Sequence, residues 1–311
     1  MDERIAKLQQ ELGQIIRGKK QVTDKILMAV LAGGHVLLED VPGVGKTTTA
    51  LAMSRLMGLD FRRIQFTPDV VPSDVTGFTM YEKKTGEFVY REGAVMCNCL
   101  LADEINRTSS KTQSALLEVM EEGRVTVDGV THEVPQPFIV LATENPVGSS
   151  GTQMLPESQL DRFMISVSMG YPDHQSLVEL LRDRQETNPL ERAQPVLTRE
   201  EILELKKKTT QVHVADPLLS YLADLSEATR DHELVTLGLS PRGSIALGRM
   251  AKAAAFLDDR DYLVPEDIQA VFADVAAHRM VLESRARYED RTARQILQEI
   301  LEKVPVPKVD G

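Results

Sequence analysis

Two glycines, a lysine and two threonines are packed into the stretch Asp40-Val41-Pro42-Gly43-Val44-Gly45-Lys46-Thr47-Thr48. This is the chemistry of a loop that cradles phosphate. Gly43 and Gly45 let the backbone turn tightly and aim its N–H groups at phosphate oxygens. Lys46 offers a positive charge to β- and γ-phosphates, and the Thr47 hydroxyl can ligate magnesium. The candidate nucleotide-binding residues are therefore Pro42, Gly43, Val44, Gly45, Lys46, Thr47 and Thr48. The usual pattern has a Gly five residues before Gly45, where this chain has Asp40. A short apolar run, His35 to Leu38, precedes the loop and reads as a buried strand. Helical composition from Thr47 to Met57 follows, so bound phosphates would sit at a helix N-terminus, where the dipole favours anions.

A second chemical signal lies 57 residues beyond Lys46, where the apolar run Cys99-Leu100-Leu101-Ala102 ends in Asp103-Glu104. A carboxylate at Asp103 can hold the water shell of magnesium, and Glu104 can orient and polarise an attacking water. Loop and acidic strand end, in this order, point to binding and hydrolysis of a nucleoside triphosphate. No Asn-Lys-x-Asp segment is present to read guanine, which favours ATP.

The elements that must position these groups alternate. Residues 1–33 are expected to be helical with a break near Gly18. The strand at 35–38, the loop and its helix come next, then a strand over 61–66. Residues 78–82 and 87–91 flank Lys83-Lys84-Thr85-Gly86 as a hairpin. Residues 125–127 and 130–132 flank Asp128-Gly129, a stronger hairpin signal because both turn residues tolerate positive φ. Between the hairpins come the acidic strand and a helix over 110–122, with Ser110 and Gln113 as its expected capping box. Further strands are expected at 137–143, ending at Glu144-Asn145-Pro146, and at 164–168. Alternation of this kind predicts an α/β layered domain with a largely parallel sheet. Gly170-Tyr171-Pro172-Asp173 reads as a hinge. Beyond it helices are expected near 174–185, 199–209, 215–230, 241–257, 265–279 and 289–303, without clear strands. The expected division is an α/β nucleotide-binding domain over 1–172, with 1–33 as helical lead-in, and an all-helical lid over 173–311.

With 311 residues, 42% hydrophobic and 27% charged, the composition is that of a globular protein with ample core. A net charge of −11 argues against broad nucleic-acid or anionic-membrane binding. The start does not read as a signal peptide, and the longest apolar stretch is broken by Gly33-Gly34-His35 and is too short to span a bilayer. Cys97 and Cys99, the only cysteines, are expected on one face of a buried strand, reduced, in a cytoplasmic protein. The histidines show no ligand spacing and read as surface or packing residues.

The chain resembles the AAA+ ATPases and, among them, the MoxR family. Beyond the loop, the resemblance is carried by Gly34-His35-Val36-Leu37-Leu38-Glu39, Arg63-Ile64-Gln65-Phe66-Thr67-Pro68-Asp69 and Leu101-Ala102-Asp103-Glu104-Ile105-Asn106-Arg107. It continues in Lys111-Thr112-Gln113-Ser114-Ala115-Leu116-Leu117-Glu118, Ala142-Thr143-Glu144-Asn145-Pro146 and Leu155-Pro156-Glu157-Ser158-Gln159-Leu160-Asp161-Arg162-Phe163. Ser240-Pro241-Arg242, Asp261-Tyr262-Leu263-Val264-Pro265-Glu266-Asp267 and His278-Arg279 complete it. Nearly the whole chain is covered, in order.

The resemblance implies a Walker A loop binding ATP, and Walker B residues with Asp103 and Thr47 as magnesium partners and Glu104 as the activator of water. It implies that Asn145 helps hold that water, a task an amide suits because it both donates and accepts. Glu144 stands where the family more often has Gln. Arg162 is implied to be an arginine finger acting on a neighbouring subunit's nucleotide, and Arg242 the lid arginine that senses nucleotide, in cis or in trans. Arg107 is a weaker candidate for the subunit interface. The two hairpins match family inserts that face a ring's channel or a partner, with Tyr81, Phe88 and Tyr90 as possible client contacts or packing residues. The implied function is chaperone-like remodelling, assembly or metal-cofactor maturation of a client protein by a homo-oligomeric, hexameric ring. A partner carrying a von Willebrand factor A domain is implied too. The rival readings are a nucleic-acid-linked motor, which the acidic balance opposes, and an ATP-binding scaffold with little turnover, which the intact Glu104 opposes.

Overall fold

The computed structural model describes residues 2–41, 43–144, 154–183, 185 and 189–308. Two helices, α1 (Glu3–Ile15) and α2 (Lys20–Ala32), lead in, and Gly18 between them takes the expected break with φ +68°. Then follow β1 (Val36–Glu39), α3 (Lys46–Leu56), β2 (Phe61–Gln65), α4 (Pro72–Thr76), the hairpin β3 (Gly77–Glu82) and β4 (Glu87–Glu92), and β5 (Cys99–Asp103). After α5 (Ser110–Glu122) come the second hairpin β6 (Arg124–Val127) and β7 (Val130–Glu133), β8 (Ile139–Glu144), α6 (Glu157–Leu160) and β9 (Ile165–Val167).

Five of these strands form one sheet in the order β2-β5-β8-β1-β9, every pairing parallel. Strict alternation sorts its side chains. Val36, Leu38, Leu101, Ile139 and Leu141 face one apolar cluster, whereas Leu37, Leu100, Ala102, Val140 and Ala142 face the other. Each Val, Leu or Ile buried here stabilises the fold by roughly 2 kcal/mol, each Ala by less than about half that. Leu116, Leu117 and Met120 of α5 cover the second face. The first face shares its cluster with α1, α2, α3 and helices beyond residue 189. His35 also stitches the layers. Its Nε2–H donates to the Met120 carbonyl and its Nδ1 accepts from Val140 N–H, both at 3.0 Å, and burial lowers its pKa to about 4, so the ring is neutral.

Beyond residues 170–173 lie α7 (His174–Asp183), α8 (Pro189–Arg192), α9 (Arg199–Thr210), α10 (Asp216–Arg230), β10 (Val235–Leu237), α11 (Pro241–Leu257), α12 (Pro265–Ala276), β11 (Val281–Leu282), α13 (Ser284–Tyr288) and α14 (Ala293–Lys303). This part is helical as expected, with the short helices α8 and α13 added and with β10 and β11 paired antiparallel in a short ribbon. Strands of two and three residues leave too little alternation to be read from sequence.

Three local expectations change. The cap of α5 is Ser109, whose Oγ accepts from Thr112 N–H, while Gln113 turns inward to donate to the carbonyls of Ile105 and Thr108. Cys97 precedes β5, so strand alternation does not apply to it. It packs with Phe66 and Val95, whereas Cys99 packs on the opposite face. Burial raises both thiols, Cys97 to about 12. Finally, of the two readings of Tyr90 the structure shows the packing one. Its hydroxyl donates to the Thr76 carbonyl at 2.6 Å and its ring stacks on His132 of the second hairpin, while Tyr81 and Phe88 stay exposed as a tilted aromatic pair.

Candidate active site

All five sheet strands point the same way, so their carboxyl ends form one edge, where open parallel sheets of this kind bind ligands. β1 runs into the phosphate loop. Gly43 and Gly45 have φ of +87° and +98°; around Gly43 there is open space, so its backbone conformation, not crowding, demands glycine. Gly45 caps α3, leaving the helix's first N–H groups directed at the loop. Gly43, Gly45, Lys46, Thr47 and Thr48 line a cavity of about 370 Å³ together with Arg63, Gln65, Asp103 and Glu104. Val44 packs against the core instead. Pro42 and Asn145 lie outside the described residues.

Lys46 is buried, and its Nζ donates to the Asp40 carbonyl at 2.7 Å. Burial draws its pKa down against the charges of Asp103, Asp40 and Glu104, which shows how closely acid surrounds it. Asp40, at the position where glycine is usual, has a structural task. Its carboxylate accepts from Val41 N–H at 2.9 Å, Ser168 Oγ at 3.0 Å and Gly170 N–H at 2.6 Å, tying the loop to the segment that follows β9. Burial raises its pKa, but these hydrogen bonds outweigh burial and hold it below the usual carboxylate range.

Asp103 and Glu104 are positioned by a residue that sequence reasoning assigned no role. Thr143, fully buried in β8, donates from Oγ1 to Asp103 Oδ1 at 2.6 Å and accepts from Glu104 N–H at 2.8 Å. Glu104 adopts the left-handed region with φ +57°, unfavourable for a non-glycine residue and frequent at functional sites. Its carboxylate accepts from Gln65 Nε2 at 2.9 Å and pairs with Arg107 at 3.0 Å. Arg107 thus reaches the acidic strand end. Asp103 Oδ2 pairs with Arg63 at 2.6 Å. The sequence signal for Arg63 and Gln65 was their alternation at the end of β2; that for Thr143 was a hydroxyl closing an apolar strand.

Asp103 and the Thr47 hydroxyl both face the cavity, a pair of hard oxygen donors suited to magnesium that keeps several waters. Among the described residues no three His, Cys, Asp or Glu converge on a metal cage. The donor set therefore fits a metal that arrives with phosphate oxygens.

Arg162 and Arg242 are brought together elsewhere. Neither lines the phosphate-loop cavity. Both line a second cavity of about 450 Å³ with Glu121, Arg249 and Arg279. Glu121, near the end of α5, pairs with Arg162 Nε at 3.4 Å and with Arg242. Arg162 thus pairs with a residue 41 positions away rather than with its sequence neighbours Asp161 or Glu157.

A parallel sheet carrying a phosphate loop at its carboxyl edge, joined to a helical lid, defines an ATPase of the AAA+ class. Residues 35–165 match the model of the "ATPase family associated with various cellular activities (AAA)", and residues 227–300 match that of the AAA lid domain. The chain is 48% identical over 303 residues to an uncharacterised protein of Bacillus subtilis, covering 97% of this chain and 95% of that one. It is 38% identical over 310 residues to a Mycobacterium tuberculosis protein named Chaperone MoxR1, covering 97% and 82%. A crystal structure of a protein assigned as an ATPase from Cytophaga hutchinsonii superposes with a TM-score of 0.91 at 39% identity, over 98% of this chain and 96% of that chain. The chain belongs to the MoxR family of AAA+ ATPases. No helix among the described residues is long and apolar enough to cross a membrane.

Proposed function

We propose that the protein hydrolyses ATP in a homo-oligomeric ring, a hexamer, and uses the cycle to remodel, assemble or mature a client protein. The observation that carries this reading is the separation of Arg162 and Arg242 from the phosphate loop. Among the described residues, each chain offers one pocket whose phosphate-loop and acidic groups have Arg63 but neither Arg162 nor Arg242 beside them, and a separate face where Arg162 and Arg242 lie with Arg249 and Arg279. One chain's face completes the next chain's pocket, so both arginines act in trans.

In that site the loop amides and Lys46 bind the β- and γ-phosphates. Thr47 and Asp103 would hold magnesium, which would neutralise phosphate charge there. Thr143 fixes Asp103 and the Glu104 backbone. Glu104, released from Gln65 and Arg107, takes the proton of the attacking water, and Asn145 orients that water. Arg162 stabilises charge on the transferring phosphoryl group. Asp40, bonded to both loop and hinge, relates the loop to the start of the lid at residue 173, where we divide the chain into domains 1–172 and 173–311. The exposed Tyr81–Phe88 pair on the first hairpin is the proposed client contact. A chaperone-named relative supports the class of task, and a partner with a von Willebrand factor A domain is part of the proposal.

The test is ATP hydrolysis as a function of protein concentration, for wild type and Arg162→Ala. Turnover per chain should rise cooperatively with concentration and fall at least about hundredfold in the variant. Turnover independent of both would mean that each chain works alone.

A further inference from the structure

We infer that Arg279, acting through Asp161, is a positioning residue that sets Arg162 and Arg242 as one unit, so that the lid of one subunit governs hydrolysis in its neighbour. The inference rests on the trans reading above.

Arg279 closes the 3-10 turn Ala277–Arg279 after α12, and its side chain is 2% exposed. A guanidinium so deeply buried is tolerable only when its donors are answered. Here the answers come largely from one short segment. Nε donates to Asp161 Oδ1 at 2.7 Å, Nη2 to the carbonyls of Asp161, at 3.1 Å, and Phe163, and Nη1 to those of Met164, at 3.1 Å, and Val275. Arg162 lies inside that segment. The lid therefore holds the backbone on both sides of the proposed finger.

The same carboxylate reaches the second arginine. Asp161 Oδ2 accepts from Ser240 Oγ at 2.9 Å. Ser240 is the N-cap of α11, its Oγ also accepting from Gly243 N–H at 3.0 Å, and Arg242 sits in the first turn it caps. A Cβ on Gly243 would lie 3.0 Å from Arg279 Cδ and 2.7 Å from Leu239 Cδ1, so cap and bracket are packed without slack. One carboxylate thus anchors the backbone one residue from Arg162 and two residues from Arg242. A shift of the lid moves both guanidiniums together. Lysine cannot replace this bracket, because a point ammonium lacks the planar fork that reaches several acceptors at once.

A mixing experiment separates positioning from folding. Acceptor subunits carry Arg162→Ala, with their own pocket intact. Donor subunits carry Glu104→Gln, with their arginine face intact. Each alone should be nearly inactive, and equal mixtures should hydrolyse ATP. Adding Arg279→Met to the donor should cut the restored turnover at least tenfold, with ring assembly by sedimentation and acceptor affinity for a fluorescent ATP analogue unchanged. Adding the same substitution to the acceptor, opposite an intact donor, should leave the restored turnover within about twofold, since the acceptor's own arginine face is already disabled. Donor Asp161→Asn should repeat the donor defect.

Full restoration by a folded Arg279→Met donor overturns the inference, as does an equal loss from donor and acceptor. If Arg279→Met fails to fold, the Asp161→Asn donor decides: full restoration overturns the bracket, and loss from the donor alone supports it. If the plain Glu104→Gln donor restores nothing, the trans reading itself fails, an outcome distinct from all the others.

Discussion

At the phosphate loop, charged groups are fixed by the ends of neighbouring strands; at the arginine face, they are held by a partner that can be exchanged. Lys46 is buried among Asp40, Asp103 and Glu104, and Asp103 is gripped by Thr143 and Arg63. These groups are locked by the parallel register of β2, β5 and β8. Arg162 and Arg242 instead share Glu121, with side-chain exposures of 30%, 46% and 38%. Ion pairs that wet contribute at most about 1 kcal/mol, little enough for a neighbour's phosphate to replace. The difference teaches that this chain keeps its phosphate-loop groups rigid and its exchangeable ion pairs at the surface, where, in the proposed ring, another subunit would compete for them.

The largest expected effect falls on the rigid side. Glu104→Gln should lower turnover by at least about hundredfold, the scale of a lost general base, while ATP affinity stays within about threefold. An amide keeps the shape and can still meet Gln65, so the left-handed backbone at this position is undisturbed. Steady-state hydrolysis beside equilibrium binding of a fluorescent ATP analogue makes the measurement. Turnover within tenfold of wild type would remove Glu104 from the chemistry and leave the scaffold reading in its place.

Much of the rigid side was legible in the sequence, and little of the exchangeable side was. Glycines at 43 and 45, the acidic end of β5 and the Asp128-Gly129 turn are local signals, because each residue type answers a demand of its own backbone. The observed φ values of Asp128 and Gly129, +49° and +80°, are those such a turn requires. What escaped depends on residues far apart in the chain. Thr143 reaches Asp103 across neighbouring strands, Glu121 meets Arg242 across 121 positions, and Arg279 meets Asp161 across 118. Spacing in one sequence carries no trace of such pairs. The shift of the α5 cap from Ser110 to Ser109 is a smaller failure of the same kind, since Gln113 was wanted by two carbonyls behind the helix.

Glu121→Gln should have an intermediate effect, and it sharpens the comparison directly. Removing this charge frees both arginines without touching the phosphate loop. If Glu121 competes with the neighbour's nucleotide, half-maximal turnover should come at a protein concentration up to about fivefold lower, as expected from an exposed pair worth less than about 1 kcal/mol. A concentration profile shifted the other way, with lower maximal turnover, would mean that Glu121 aligns the arginines within the assembled site. The exchangeable face would then be as rigid as the loop.

The smallest effect tests whether negative charge is crowded at the loop end of the sheet. Glu144 lies in register with Glu39 on the neighbouring strand. Burial first, and the charge of Glu39 second, push its carboxyl from 4.5 up to about 7. The folded state therefore holds this proton more tightly than the unfolded chain does. Its contribution to stability is fully present below about pH 4.5, declines as pH rises, and is lost above about pH 7, where both states are ionised; the loss is at most about 3 kcal/mol. Glutamine cannot ionise, so Glu144→Gln escapes the loss. Thermal unfolding without nucleotide, from pH 5 to pH 8, should show the variant gaining a few degrees on wild type as pH rises. A gap that stays constant across that range would mean that Glu144 is already ionised at pH 5, and that Glu39 and Glu144 share the strand ends without conflict.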